Sequence, residues 1–215
     1  MPDRRMVPRA VFVLLAALCA AWLAAGCLEA SVPVENRDAE EAASLQEELQ
    51  ARIQYVRDNA SSLASHIHRL INEERGENGL HPLEWDQRLA NIALSHSRDM
   101  ATRGYFDHVD PEGEDFADRY REHGYNLQTR IGDQVLVGGE NLFLNNVVNS
   151  YTYDRETQEV YEYQYNGLEE LALSTVEGWM RSPGHRENIL TPFTREGIGI
   201  YVSDEGKVYI TENFS

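Results

Sequence analysis

The spacing of apolar residues predicts that the first half of the chain is helical. Between residues 45 and 70, apolar side chains recur at steps of three and four residues, the period of one helix face. The stripe consists of Leu45, Leu49, Ile53, Val56, Ala60, Leu63, Ile67 and Leu70. It allows one long helix, or two that meet within residues 59–62, where a serine would cap the second. The shortness of the stripe favours a helix lying against a domain over a coiled-coil stalk that dimerises.

Capping residues predict further helices along the chain. Asp86 is placed to cap a helix that stops at Gly104. The inward face of that helix is expected to carry Leu89, Ile92, Ala93 and Met100. A short helix is expected near Asp115–His123, and another over Leu168–Met180.

Alternating apolar and polar residues predict two β-hairpins. Residues 197–202 and 207–211 alternate around a Ser-Asp-Glu-Gly turn at the end of the chain. A second hairpin is expected within residues 144–167, which hold five of the 11 tyrosines and read as an insertion. One interpretation is that these tyrosines cover apolar surface of the domain itself. The other is an aromatic rim that stacks on sugars, lipids or a partner.

The N-terminal segment indicates export. Arginines in residues 1–9 precede the uncharged run Ala10–Leu28, as in a signal peptide. The string Leu23-Ala24-Ala25-Gly26-Cys27 resembles the lipobox of prokaryotic lipoproteins. That resemblance implies a signal peptide over residues 1–26, a lipid on Cys27 and an anchor at the cell surface. The alternative is an uncleaved transmembrane anchor. Residues 27–61 would form a tether and helical spacer, with residues 29–44 solvated.

Composition narrows the class of protein. The 215 residues include 42% hydrophobic residues, enough for a packed core. The net charge of −17 repels phosphate backbones, which makes nucleic acid a poor partner. Two cysteines cannot build a disulfide-dense scaffold. Asn59 and Asn213 each begin an Asn-x-Ser glycosylation sequon.

An ordered set of motifs carries a family resemblance. The motifs are Asn72-x-x-Arg75, Phe106-Asp107-His108, Gly139-Glu140-Asn141-Leu142, the string from Trp179 to Leu190 that contains Ser182-Pro183-Gly184-His185-Arg186-Glu187-Asn188, and the closing hairpin. Together they resemble the CAP superfamily (cysteine-rich secretory proteins, antigen 5, pathogenesis-related 1) in its prokaryotic form, over residues 62–215. The resemblance implies an α+β fold, a three-layer α-β-α sandwich with a cleft lined by two histidines and acidic residues.

Matching the motifs residue by residue assigns the cleft. His108 and His185 match the two histidines of the family, and Glu140 matches its first cleft glutamate. Ser182 stands where many eukaryotic members have a second glutamate, so a four-residue acidic set is incomplete. Asn141 and Asn188 are expected to support the cleft through bonds between side chains and backbone.

Two imidazoles and a carboxylate can hold Zn²⁺ and leave a position for water. Such a site would make the protein a metal-dependent hydrolase with peptides as the expected substrate class, and Glu140 would be a ligand or the general base. Only the resemblance brings the three residues together, since the chain has no compact ligand motif. Structural roles are the alternative: Glu140 would lock a loop before a strand, His108 would hold its loop by bonding Glu140, and His185 would cap a short helix.

The favoured interpretation is a membrane-tethered binding module for a lipid, glycan or protein ligand, without catalysis. No Gly-x-Ser-x-Gly string or phosphate-binding glycine loop is present in the sequence. His96 is expected to be structural, and Arg75 to pair with a carboxylate. Trp85 and Trp179 are expected in the core.

Overall fold

The structure, a computed structural model, describes residues 34–126, 128–131 and 133–215. The expected signal peptide, Cys27 and the first residues of the tether lie outside this part of the chain. Within the described ranges, no helix is both long and apolar enough to cross a lipid bilayer.

The apolar stripe forms two helices. α1 (Val34–Asp58) and α2 (Ala60–Glu77) meet at Asn59. The expected serine cap is wrong: Asn59 occupies the N-cap, and its Nδ2 donates back to the Tyr55 carbonyl at 2.8 Å. Residues 34–44 of the expected tether are helical, because this Glu- and Ala-rich stretch favours a helix, and residues 39–44 are exposed, as expected for a solvated segment. Ile53 and Val56 are 1% and 0% exposed, so α1 lies against the domain.

A four-stranded sheet forms the middle layer. Its strands are β1 (Glu84–Trp85), β4 (Gly139–Asn146), β7 (Arg195–Val202) and β8 (Lys207–Phe214), in the order β1-β7-β8-β4. β1 runs parallel to β7, and the other pairs are antiparallel. The predicted C-terminal hairpin is β7–β8, and Gly206 in its turn adopts a φ of 81°.

Helices cover both faces of the sheet. α3 (Gln87–Arg103) packs on one face so closely that a Cβ at Gly197 would lie 2.1 Å from the Ala90 nitrogen. α2, α5 (Leu168–Arg181) and α6 (Pro183–Leu190) lie on the other face, where Ile198 and Ile200 join their apolar core. The three-layer α-β-α sandwich is therefore confirmed.

Capping residues near in sequence define the predicted ends of two helices. The Asp86 carboxylate accepts from the Arg88 and Leu89 backbone amides at the start of α3, and Gly104 ends it in the left-handed conformation. α4 (Phe116–Glu122) begins with a capping box between Asp115 and Asp118.

The two tryptophans differ in their environments. Trp179 is fully buried, and its indole nitrogen donates to the Leu142 carbonyl at 2.9 Å. The core placement of Trp85 is wrong, since this ring is 38% exposed. It lies on the two-residue edge strand β1, where it packs edge-on against the His68 ring.

The carboxylate partner expected for Arg75 is also wrong. This buried guanidinium donates instead to four backbone carbonyls: those of His81, Ile189, Thr191 and Phe193. It thereby joins α2 to the segment that links α6 and β7.

Two small hairpins extend from the sandwich. β5 (Val148–Tyr153) and β6 (Val160–Tyr165) form the predicted tyrosine hairpin, with Tyr151 opposite Tyr163. Tyr165 packs against the core, as the first interpretation requires. Tyr161 is 64% exposed, and its role in a ligand-binding rim stays a prediction. β2 (Gln128–Ile131) and β3 (Gln134–Val137) form a hairpin that the sequence pattern did not predict.

Candidate functional site

Three distant parts of the chain bring the predicted site residues together. His108 lies in the loop after α3, Glu140 is the second residue of β4, and His185 is the third residue of α6. The centroids of the two histidine rings are 6.4 Å apart. His108 Nδ1 lies 2.9 Å from Glu140 Oε1. The convergence implied by the family resemblance is therefore present in the structure.

Glu140 is the buried centre of this arrangement. Its side chain is only 1% exposed. Oε1 accepts from His108 Nδ1 at 2.9 Å, and Oε2 accepts from Arg119 Nη2 at 2.7 Å. Pairing with β8 places Glu140 in strand β4, and the loop that its carboxylate holds is the one that carries His108. Both carboxylate oxygens are thus occupied by donors from the protein.

The hydrogen bond to Glu140 determines the tautomer of His108. An ionised carboxylate only accepts, so the neutral ring carries its proton on Nδ1. Nε2 then keeps a lone pair that a ligand can use. The His108 side chain is 48% exposed, so the ring is partly open to solvent.

Arg119, which sequence reasoning missed, clamps the site from α4. Its side chain is 8% exposed. Besides Glu140, it donates to the backbone carbonyls of His108 and Glu114, each at 3.0 Å. Arg119 thereby fixes both the carboxylate and the loop of His108. No local signal separates it in sequence from the neighbouring Arg121, which is an exposed surface residue.

A second contact holds the His108 loop from the side of α3. His96 is 2% exposed, and its Nε2 donates to the Asp107 carbonyl at 3.0 Å. Burial lowers the pKa of His96, which keeps the ring neutral. Its predicted structural role is confirmed.

His185 is half-buried at the start of α6. Pro183 occupies the first turn of that helix, where its fixed φ and missing N–H suit a helix start. The expected capping role of His185 is wrong, since the residue lies inside the helix. Burial, followed by repulsion from His108, lowers the pKa of His185, so its ring is neutral near pH 7.

Two asparagines tie α6 to β4. Asn188 Nδ2 donates to Asn141 Oδ1 at 2.9 Å and to the Glu140 carbonyl at 3.1 Å. Asn141 Nδ2 donates to the His185 carbonyl at 3.3 Å. Both residues therefore have the supporting bonds that were predicted. Ser182 begins α6 without a side-chain cap, and its carbonyl accepts from the Arg186 amide at 2.9 Å.

The described side chains do not fit a three-ligand zinc site. Glu140 is buried and bonded at both oxygens, and the Arg119 cation beside it would repel a metal ion. Among residues 34–126, 128–131 and 133–215, no group of three or more His, Cys, Asp and Glu side chains is arranged to hold a metal. The two imidazoles supply only two of the three protein ligands usual in catalytic zinc sites.

Comparison with known proteins adds a family match. The model of the cysteine-rich secretory protein (CAP) family matches residues 68–214. The chain is 31% identical over 146 residues to the uncharacterized membrane protein YlbC of Bacillus subtilis (strain 168), covering 67% of this chain and 32% of that protein. It is also 31% identical over 157 residues to the uncharacterized protein YkwD of the same strain, covering 73% and 48%.

A solved structure shares the architecture. An extracellular protein containing an SCP domain from Bacillus anthracis strain Ames aligns with a TM-score of 0.50 and 28% identity, covering 72% of this chain and 40% of that one. The chain spans about a third to a half of the length of the curated relatives it matches.

Proposed function

The chain belongs to the cysteine-rich secretory protein (CAP) family, and from that membership we propose that it is an extracytoplasmic binding module. Its ligand contacts the surface formed by His108 and His185. One observation carries this proposal: the protein itself occupies both oxygens of Glu140. The carboxylate therefore orients His108 and is not a reacting group.

The surroundings of His108 define what such a ligand must offer. Phe106 and Val109 flank the histidine, and each is 44% exposed. A ligand here meets apolar surface beside an imidazole lone pair, which suits a lipid, a glycan or a protein segment with a hydrogen-bond donor. The net charge of −17 disfavours anionic ligands.

Hydrolysis has less support than binding. A metal-dependent peptidase needs a third ligand or a free general base at the site. Glu140 could act as the third ligand or as the general base only if it lost its hydrogen bond to His108 or to Arg119. Zinc binding by the two imidazoles stays a prediction that calorimetry with ZnCl₂ would test.

The location is proposed from the N-terminal pattern and from the relatives. The lipobox-like string ending at Cys27 favours a lipid anchor at the cell surface. YlbC is described as a membrane protein, and the Bacillus anthracis protein as extracellular, which agrees with export of this chain.

A binding screen tests the proposed function. The full chain would be passed over immobilised neutral glycans, vesicles of phosphatidylcholine and a peptide array. We expect retention on one class that His108→Ala and His185→Ala each abolish. His81→Ala serves as the matched control, because His81 is an exposed histidine outside the site. Retention that neither site variant changes would overturn the proposal.

A further inference from the structure

Two carboxyl groups are buried side by side in the sheet, away from the histidine site. Glu196 on β7 and Glu212 on β8 are each 0% exposed. In the antiparallel register Glu212 lies opposite Ile198, so Glu196 and Glu212 are diagonal neighbours on one face of the sheet. Buried carboxyl groups are rare unless a cation bonds to them directly. The donors that satisfy the oxygens of Glu196 and Glu212 must therefore be identified.

Each carboxyl has one donor and one oxygen without a partner. His68 Nδ1 bonds Glu196 Oε1, and Asn141 Nδ2 donates to Glu212 Oε2 at 3.0 Å. Glu196 Oε2 and Glu212 Oε1 are buried and have no donor. A single proton shared between these two oxygens would satisfy both of them.

The hydrogen bonds around His68 fix its protonation state. The Leu83 amide donates to Asn72 Oδ1 at 2.7 Å, and Asn72 Nδ2 donates to the Leu83 carbonyl at 3.2 Å, which orients the asparagine. Asn72 Nδ2 also lies 3.3 Å from His68 Nε2. An amide nitrogen only donates, so Nε2 accepts and the ring proton is on Nδ1. His68 is therefore neutral and donates to Glu196.

The charges of the buried cluster formed by Glu196, Glu212 and Arg75 also favour one added proton. The Arg75 guanidinium is 1% exposed, and its attraction to Glu196 and Glu212 opposes the fall in its pKa that burial causes. Two ionised carboxylates with one arginine would leave a net negative charge out of contact with water. One added proton makes the cluster neutral, which is the state that a buried environment favours.

We propose that Glu196 and Glu212 share one proton between Glu196 Oε2 and Glu212 Oε1, and that this acid pair positions His185 through Asn141. Asn141 Nδ2 donates both to Glu212 Oε2 and to the His185 carbonyl, so the pair sets the orientation of the amide that holds α6. The positioning role rests on the proposed function of the histidine site. The shared proton does not, because it is tested without any ligand.

The proposal has a defined pH dependence. The titratable and charged groups that face the pair are His68 and Arg75 of α2, while β4 contributes the neutral amide of Asn141. Burial, together with its neighbour Glu196, raises the pKa of Glu212 well above its ordinary value. A raised acid pKa favours the protonated form in the folded state. Stability is therefore full in acid and falls as pH rises through the folded pKa.

Glutamine substitutions test the shared proton. In Glu212→Gln the amide oxygen accepts from Asn141 and the amide NH₂ replaces the shared proton toward Glu196. Glu196→Gln is equally satisfied, because its oxygen accepts from His68. In the double variant two NH₂ groups meet with no acceptor between them. We expect both single variants to keep the urea midpoint of the full chain below the ordinary pKa of a glutamate and to lose the fall in midpoint that the wild type shows as pH rises above it. The double variant should unfold at a lower midpoint than either single variant.

Glu187→Gln is the matched control, since Glu187 is an exposed glutamate on α6 whose change should leave the pH profile intact. If the two substitutions each raise stability and their effects add, so that the double variant is more stable than either single variant, the shared proton is overturned. That result would mean that both carboxyls are ionised in the wild type.

The positioning role is tested by the nuclear magnetic resonance signals of the His185 ring, measured without ligand. They should shift as pH rises through the raised pKa of Glu212 in the wild type and in Glu187→Gln but not in Glu212→Gln. An identical response in all three proteins would overturn the positioning role alone.

Discussion

Arg119 Nη2 lies 2.7 Å from Glu140 Oε2, and both side chains are almost completely buried. This ion pair joins α4 to β4 beneath the exposed ring of His108. Arg119 occupies one oxygen of Glu140, and the other oxygen accepts from His108 and holds its ring in one tautomer. The exposed imidazole therefore depends on a charge pair that no ligand touches.

Removing the Arg119 cation should lower the stability of the fold, because the Glu140 carboxylate stays buried. Arg119→Ala leaves Glu140 buried with a single donor and is expected to destabilise the fold by about 3–5 kcal/mol, as for other broken buried pairs. Chemical denaturation measures the loss. The neighbouring Arg121→Ala is the control, since Arg121 is exposed and should change stability by less than about 1 kcal/mol. Equal effects of the two variants would contradict the clamp.

The contact between α3 and the sheet should tolerate no side chain at position 199. A Cβ on Gly199 would lie 1.9 Å from the Leu94 backbone nitrogen, so Gly199→Ala must push the helix away from β7. We expect a loss of at least about 2 kcal/mol from this overpacking. Gly76→Ala is the contrasting substitution, because Gly76 lies in α2 with open space around it, and it should stabilise by about 0.5–1 kcal/mol. If Gly199→Ala left the free energy of unfolding unchanged, the packing of α3 on the sheet would have to be loose.

The titration of His185 should depend on the presence of His108. Burial first, and then repulsion from His108, lowers the pKa of His185 below its ordinary value. In a nuclear magnetic resonance titration, the His185 ring should gain its proton at a lower pH than a histidine in an unfolded peptide. His108→Ala should move that titration upward, because it removes the repulsion. A His185 titration that the variant leaves unchanged or moves downward would contradict the closeness of the two rings.

The N-terminal pattern makes a separate prediction about the anchor. Cys27→Ser should release the protein from membranes if Cys27 carries the lipid, since the thiol is the site of attachment. Cell fractionation followed by detection of the full chain measures the change. Ser31→Ala, a nearby substitution outside the lipobox-like string, should leave the protein with the membranes. Membrane retention of Cys27→Ser would favour an uncleaved helix.

Periodicity predicted those elements whose burial follows a regular face. The stripe of α1 and α2 and the capped helix α3 belong to this group, since each shows its buried side at a helical spacing. The hairpins were predicted from alternation and turn residues, although β7 and β8 are buried at almost every position and β5 is mostly exposed. β4 was missed because Gly139 and Asn141 are poor strand residues, and only pairing with β8 draws them into the sheet.

The polar interior could not be predicted in the same way. A glutamate in a strand is ordinarily assigned to the solvent face, yet Glu196 and Glu212 point into the core, where His68 and Asn141 supply donors from distant elements. The role of Arg119 could not be predicted for the same reason, because its partner Glu140 lies 21 residues away along the chain. The motifs predicted which residues form the site, and the tertiary structure determines how they are bonded.

Binding without chemistry can be tested by exposing the full chain to a peptide library, to neutral glycans and to phosphatidylcholine vesicles, and by analysing the products with mass spectrometry. We expect the retained component to be recovered chemically intact, and its retention to require His108 and His185 but not His81. Cleavage of any component by the purified protein, abolished in Glu140→Gln, would contradict binding without chemistry, because it would make Glu140 a reacting group.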